Sequence, residues 1–192
     1  MKIKIVLAFA CGLVFTACEK KIETSEPEAG GSSKNKATVS ATAVINASSV
    51  QQLIRGFGGA NIRGWIPDLT AAQRTKAFSP SSGMGLSILR VRVPNSSSEF
   101  AAEKPTIDAA KSYGASVIAS AWSAPASMKD NNNVVGGKLK TTSYADYATH
   151  LRDFNTAMGG LLAISPSNEP NIQVNYESME MTAAEVANFV AA

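Results

Sequence analysis

Cysteine is nearly absent from this chain: its 192 residues hold two, Cys11 and Cys18, both close to the N-terminus. Loss of a leader would remove Cys11 and leave Cys18 alone, which excludes a disulfide within the mature chain. A single histidine, His150, offers no metal site and no Ser-His-Asp triad. Charge is also scarce. The formal value is +3, and removal of Lys2 and Lys4 with the leader lowers it to +1, poor support for nucleic-acid binding. No cofactor motif stands out, because Gly56-Phe-Gly-Gly59 lacks the G-x-G-x-x-G spacing, a Walker lysine and an immediate helix.

Long apolar runs are missing too. Residues 5–15 form the longest, after a basic start, and are too short to cross a bilayer as a mature helix. They read as a secretory signal over residues 1–17. Phe15-Thr-Ala-Cys18 resembles a bacterial lipobox, so Cys18 is the expected lipidation site, with the membrane reached through that anchor only. The alternative is ordinary cleavage that leaves Cys18 a free thiol. Residues 18–37 mix Lys and Glu with Ser, Gly and Pro, and show no apolar period, as expected of a disordered tether.

From residue 38 the pattern is that of a folded domain. Val39, Ala41, Ala43 and Ile45 alternate with polar residues as a half-buried strand, and a second extended segment runs from Gln52 into Gly56-Phe-Gly-Gly59. Thr70-Ala-Ala-Gln73 has capping-box spacing and predicts a helix to about Phe78. An apolar strand follows over 86–93, then a short helix over 106–113 closed by Gly114, and a strand over 116–121. Ser143 opens the best helix, with Tyr144, Tyr147, Leu151, Phe154 and Met158 on one face and Gly159-Gly160 as its stop. His150 falls near its polar side and reads as solvated. Residues 161–165 form a short apolar strand, and Thr182-Ala-Ala-Glu185 repeats the capping box.

Such alternation implies a parallel α/β sheet, either doubly wound or a barrel, with about four β/α units present. The strand ends favour a barrel. Asn61 and Trp65 follow the first strand, Arg90 and Arg92 lie in the second, Trp122 follows the third, and Asn168 and Glu169 the fourth. Glycoside hydrolysis needs two carboxyl groups flanking the bond. Glu169 is one candidate: it lies just past an apolar strand, where partial desolvation would favour the protonated acid, and Pro170 restrains its backbone. Asn168 can donate to a sugar hydroxyl, and tryptophan faces suit the C–H side of a pyranose. Each keeps a plainer alternative: Asn-Glu-Pro as an ordinary turn, Trp122 as packed core, Arg90 as an ion-pair residue, Arg92 as a salt bridge.

Five ordered blocks carry a resemblance. Ile54-Arg-Gly-Phe-Gly-Gly-Ala-Asn61, Asp68-Leu-Thr-Ala-Ala-Gln-Arg74, Leu86-Ser-Ile-Leu-Arg-Val-Arg92, Ala121-Trp-Ser-Ala-Pro125 and Leu162-Ala-Ile-Ser165 with Asn168-Glu-Pro170 resemble glycoside hydrolase family 30, nearest its glucuronoxylanase branch. The resemblance implies a (β/α)8 TIM barrel with a β-sandwich at its side, residues 38–192 being its N-terminal half with a first sandwich strand. It implies retention of configuration, with Glu169 as acid/base. Asn168 then bonds the sugar 2-hydroxyl, Arg90 lies near the nucleophile, Trp122 lines the sugar floor, and Trp65 is a further substrate contact.

Residues 166 and 167 are Pro-Ser where the glucuronoxylanases carry Val-Gln, a departure in the loop that aims Glu169. The family's nucleophile is a glutamate ending a seventh strand, for which Glu99, Glu103, Glu177, Glu180 and Glu185 are no substitutes. The expectation is therefore a truncated part of an endo-β-1,4-xylanase, unstable and inactive alone. In full it would be an exported lipoprotein at the outer membrane or cell surface, acting on plant cell-wall xylan without cofactors. Three alternatives stay open: another family 30 β-glycosidase, on glucosides or β-1,6-glucan; a non-catalytic carbohydrate-binding surface lipoprotein; and a purely structural lipoprotein with no ligand.

Overall fold

The computed structural model describes Ser48, Ser49 and residues 51–192. The leader, Cys18, the tether and the strand expected around 39–45 lie outside the described residues.

Residues from 51 onward build one parallel sheet with helices between its strands. The strands are β1 (Gly58–Asn61), β2 (Ile88–Val93), β3 (Ser116–Ala121) and β4 (Ala163–Ser165), and the helices are α1 (Ala71–Phe78), α2 (Phe100–Ser112), α3 (Tyr144–Ala157) and α4 (Ala183–Ala191). Each strand pairs with the next in sequence, in the order β1-β2-β3-β4, all parallel. A doubly wound sheet reverses direction at a switch point. This one does not, and its order is that of successive strands in a β/α barrel.

Alternation along β2 and β3 separates two faces. Leu89, Val91, Val93, Val117, Ala119 and Ala121 are buried on the helix side, where Phe100, Ile107 and Ala110 of α2 and Tyr147, Leu151 and Phe154 of α3 join the core. Ile88, Arg90, Ile118 and Ser120 take the other face. Glycine is required at position 58, since a Cβ there would lie 2.4 Å from the Ile88 carbonyl oxygen. That contact lets β1 pair closely with β2.

Local signals hold well. Both capping boxes form: Thr70 accepts from the Gln73 N–H and Thr182 from the Glu185 N–H, with the reciprocal side-chain bonds in place. The α3 face is buried as its spacing predicts, and Gly159 and Gly160 stop it at φ 70° and 84°. Three boundaries differ. The extended segment before Gly58 forms no strand, β4 is only three residues long, and α2 begins at Phe100 rather than Thr106. Pro105, which suits a helix start, sits inside α2 instead. A 3-10 turn over Ser97–Glu99 starts that helix.

His150 is half-buried rather than solvated. Its Nε2 lies 2.8 Å from the Pro94 carbonyl oxygen, and its ring packs against Phe100 and Tyr147. It ties α3 to the end of β2.

Candidate active site

Most of the expected site residues converge at the carboxyl ends of the strands. Arg90, on the interior face of β2, donates Nε to Ser120 Oγ of β3 at 3.2 Å and Nη2 to Asn168 Oδ1 beyond β4. Its guanidinium carbon stands 4.9 Å from the centre of the Trp122 ring, a cation–π contact. Among the described residues its partners are neutral, so the ion-pair alternative for Arg90 is not what forms. By occupying the Asn168 oxygen, Arg90 fixes which way that amide faces. The Asn168 Nδ2 then donates to Glu169 Oε2 at 3.2 Å.

The backbone of this corner is pinned as well. Asn168 N–H donates to the Ala121 carbonyl at 2.7 Å, Tyr147 Oη–H to the Pro166 carbonyl at 2.7 Å, and Ser167 Oγ–H to the Met179 carbonyl at 3.2 Å. Pro166 and Ser167, the departure from the family pattern, thus act as anchor points for the loop. Burial pushes the Tyr147 phenol far above its ordinary range and keeps it a neutral donor. Glu169 has φ 45°. A residue before proline favours extended backbone. Holding Glu169 in the left-handed region instead costs on the order of 1–3 kcal/mol, and such strain clusters at functional sites. The expected desolvation is absent, because the Glu169 side chain is exposed.

Beside this corner lies a cleft of about 450 Å³ lined by Trp65, Trp122 and Tyr176. Trp65 is set by a tight turn after β1, where its N–H and that of Ile66 reach the Ile62 carbonyl. Its ring meets Trp122 edge-on at 5.0 Å and Tyr176 at 6.1 Å. Trp122 is only 8% exposed, whereas Trp65 is 46% and Tyr176 40%. Trp122 is therefore partly the packed aromatic of the plainer alternative, and Trp65 and Tyr176 present the open faces.

Tyr176 was not legible as a site residue, since it lies in the irregular β4–α4 loop with no periodicity around it. Asn61 moves the other way. It is buried on the helix side, donating to Asp68 Oδ1 at 2.7 Å, away from the cleft. Arg74 and Thr106 also engage Asp68, and although burial alone would raise that carboxyl, these bonds hold it below its ordinary range.

Other acids near the rim are committed to structure. Arg92 donates Nε to Glu177 Oε2 at 3.0 Å and also pairs with Glu99 at 3.5 Å, the salt-bridge role expected for it. Glu185 pairs with Lys138 at 3.0 Å and caps α4, and its carboxyl is held down to about 2, foremost by the Thr182 backbone bond. Glu103 is buried in α2, pairs through Oε1 with Arg63 at 3.8 Å and has no partner for Oε2 among the described residues; burial pushes its carboxyl up to about 7.

A singly wound parallel sheet that gathers aromatic rings, an arginine and a carboxylate at its carboxyl edge is the arrangement of part of a β/α barrel. No protein-family model matches the chain. Individual proteins do. Glucuronoxylanase XynC of Bacillus subtilis (strain 168) is 42% identical over 136 residues, 66% of this chain and 32% of that protein. Among solved structures, the glycoside hydrolase family 30 subfamily 8 xylanase Xyn30A of Clostridium acetobutylicum has a TM-score of 0.62 at 30% identity, covering 76% of this chain and 40% of that one. The catalytic domain of GH30 xylanase C from Talaromyces cellulolyticus has a TM-score of 0.61 at 28% identity, covering 77% and 44%. The chain belongs to glycoside hydrolase family 30, on its glucuronoxylanase-like branch. It spans about a third of the length of the curated relatives it matches.

Proposed function

We propose that this chain carries the acid/base half of a retaining endo-β-1,4-xylanase acting on glucuronoxylan. The observation that carries this is the chain of contacts from Arg90 through Asn168 to Glu169, next to an aromatic cleft sized for sugar rings. Glu169 gives its proton to the leaving oxygen as the glycosidic bond breaks, then takes one from the water that hydrolyses the glycosyl-enzyme. Asn168 presents its amide to the sugar 2-hydroxyl, and Trp65, Trp122 and Tyr176 cover the apolar face of the pyranoses. The nucleophile is a second carboxylate contributed by the part of the family fold that the matched stretch does not span. Lipidation at Cys18 and display at the outer membrane or cell surface belong to the same proposal. They rest on the leader pattern.

Glu169→Gln in the intact protein tests the assignment. Loss of general acid/base help lowers xylan hydrolysis by roughly 10²–10⁴-fold, with an unchanged circular dichroism spectrum and melting temperature. Activity within a few-fold of the parent protein sinks it. Purified residues 38–192 alone should release no reducing sugar from xylan.

A further inference from the structure

Lys129 is fully buried, in the loop between β3 and α3, although lysine is among the residues least often found inside. Among the described residues no carboxylate forms an ion pair with it. Its ammonium instead donates to Ser123 Oγ at 2.9 Å and to the Ser178 carbonyl at 2.7 Å. These two acceptors are not arbitrary. Ser123 follows Trp122 directly, and Ser178 lies two residues past Tyr176, so the ammonium joins the segments that carry two walls of the aromatic cleft.

Around that link the loops are laced together. Ser178 Oγ donates to the Tyr176 carbonyl at 2.9 Å and accepts the Gly136 N–H at 2.9 Å, while Val135 and Lys138 bridge to Glu177 and Glu180. Ser123 is 1% exposed and Ser178 7%, so neither hydroxyl is placed to touch a sugar itself. The charged groups facing Lys129 are Asp130 from its own loop and Glu177 and Glu180 from the β4–α4 loop, with Arg92 of β2 holding Glu177. Burial nevertheless outweighs them and pulls the ammonium down to about 8. Burying a cation is costly, and here its hydrogen bonds hold two separate loops at a fixed spacing.

We infer that Lys129 is a positioning residue that sets the separation of the Trp122 and Tyr176 walls, and through it the affinity of the cleft for a xylan chain. The affinity part rests on the proposed sugar site. The wall geometry does not, and the test reads the two separately.

Near-UV circular dichroism of the Trp65, Trp122 and Tyr176 cluster reads the walls without any ligand, and fluorescence titration with xylohexaose reads affinity. Lys129→Met should diminish the aromatic signal and weaken xylohexaose binding at least tenfold. Lys111→Met is the control. That lysine likewise joins two points of the chain, through the backbone carbonyls of Met158 and Gly160, but at the opposite end of the sheet. It should lose stability and change neither readout.

Ser123→Ala removes one acceptor with little demand on the fold, so it keeps the test open even if Lys129→Met is misfolded. It should weaken binding about threefold, and the double variant should bind no worse than Lys129→Met alone, because both act through one link. An unaltered near-UV signal in Ser123→Ala, or additive losses in the double variant, overturn the positioning role. A diminished signal in a protein whose parent shows no xylohexaose affinity upholds the link and overturns the xylan reading.

Discussion

Toward the helices, β2 and β3 present an unbroken row of buried aliphatic side chains; at their carboxyl ends the same strands hand over to arginines, serines and aromatic rings. The first region is held by area removed from water, with each large apolar side chain worth roughly 1.5–3 kcal/mol. The second is held by directed bonds, many of them to backbone carbonyls: Tyr147 to Pro166, Ser167 to Met179, Lys129 to Ser178. The difference teaches where damage should show. A lesion on the helix side should lower stability and leave the chemistry of surviving molecules alone, whereas one at the rim should change binding or turnover first.

Three substitutions sharpen or break that division. Ile107→Ala in α2 leaves a hole at a fully buried core position and should cost about 2–5 kcal/mol of unfolding free energy, read by urea denaturation. Unchanged affinity of the folded fraction for xylohexaose would keep the two regions distinct.

Glu103 tests the boundary, being a buried carboxyl of α2 beside the arginines at 63 and 92. Its folded value is raised to about 7 from 4.5, with burial the foremost cause and the arginines at 63 and 92 opposing it. The folded protein therefore binds the proton more tightly than the unfolded chain does. The stability this contributes is fully present below about pH 4.5 and is lost as pH rises through 7. The loss amounts to about 3 kcal/mol at 1.36 kcal/mol for each pKa unit. Glu103→Gln should remove that slope, so the variant overtakes the parent in melting temperature above neutrality. Parallel melting curves from pH 4 to 8 would show that Glu103 does not titrate this way.

Smallest is Tyr147→Phe, which removes one buried hydrogen bond to the loop before Asn168. It should cost about 1 kcal/mol of stability yet lower xylan turnover by a larger factor than that energy implies, since Pro166 helps aim Glu169. A pure stability loss would leave Tyr147 a core residue with no part in aiming Glu169.

Much of the scaffold was legible because its causes are local. A threonine with Gln or Glu three positions on needs no tertiary context to start a helix, and the Tyr144 face of α3 is written in its period. The early start of α2 was hidden by Pro105, which the packing of Phe100 against Phe154 overrides. The site was legible in part, through strand-end residues whose order matches the family. Its wiring was not. Arg90 and Asn168 are 78 positions apart, and no spacing rule pairs them. Lys129 and Tyr176 sit in irregular loops where neither period nor cap marks a role, and the left-handed backbone of Glu169 runs against the rule for residues before proline.

The strand order carries one further consequence. Every strand lies against the one made just before it, so pairing never waits for a distant segment, and each loop closed is a few dozen residues. The entropy of closing such loops rises only slowly with their length, so the pairs can form in chain order. A chain that emerges amino end first can lay down this sheet one unit at a time, each finished edge serving as the template for the next.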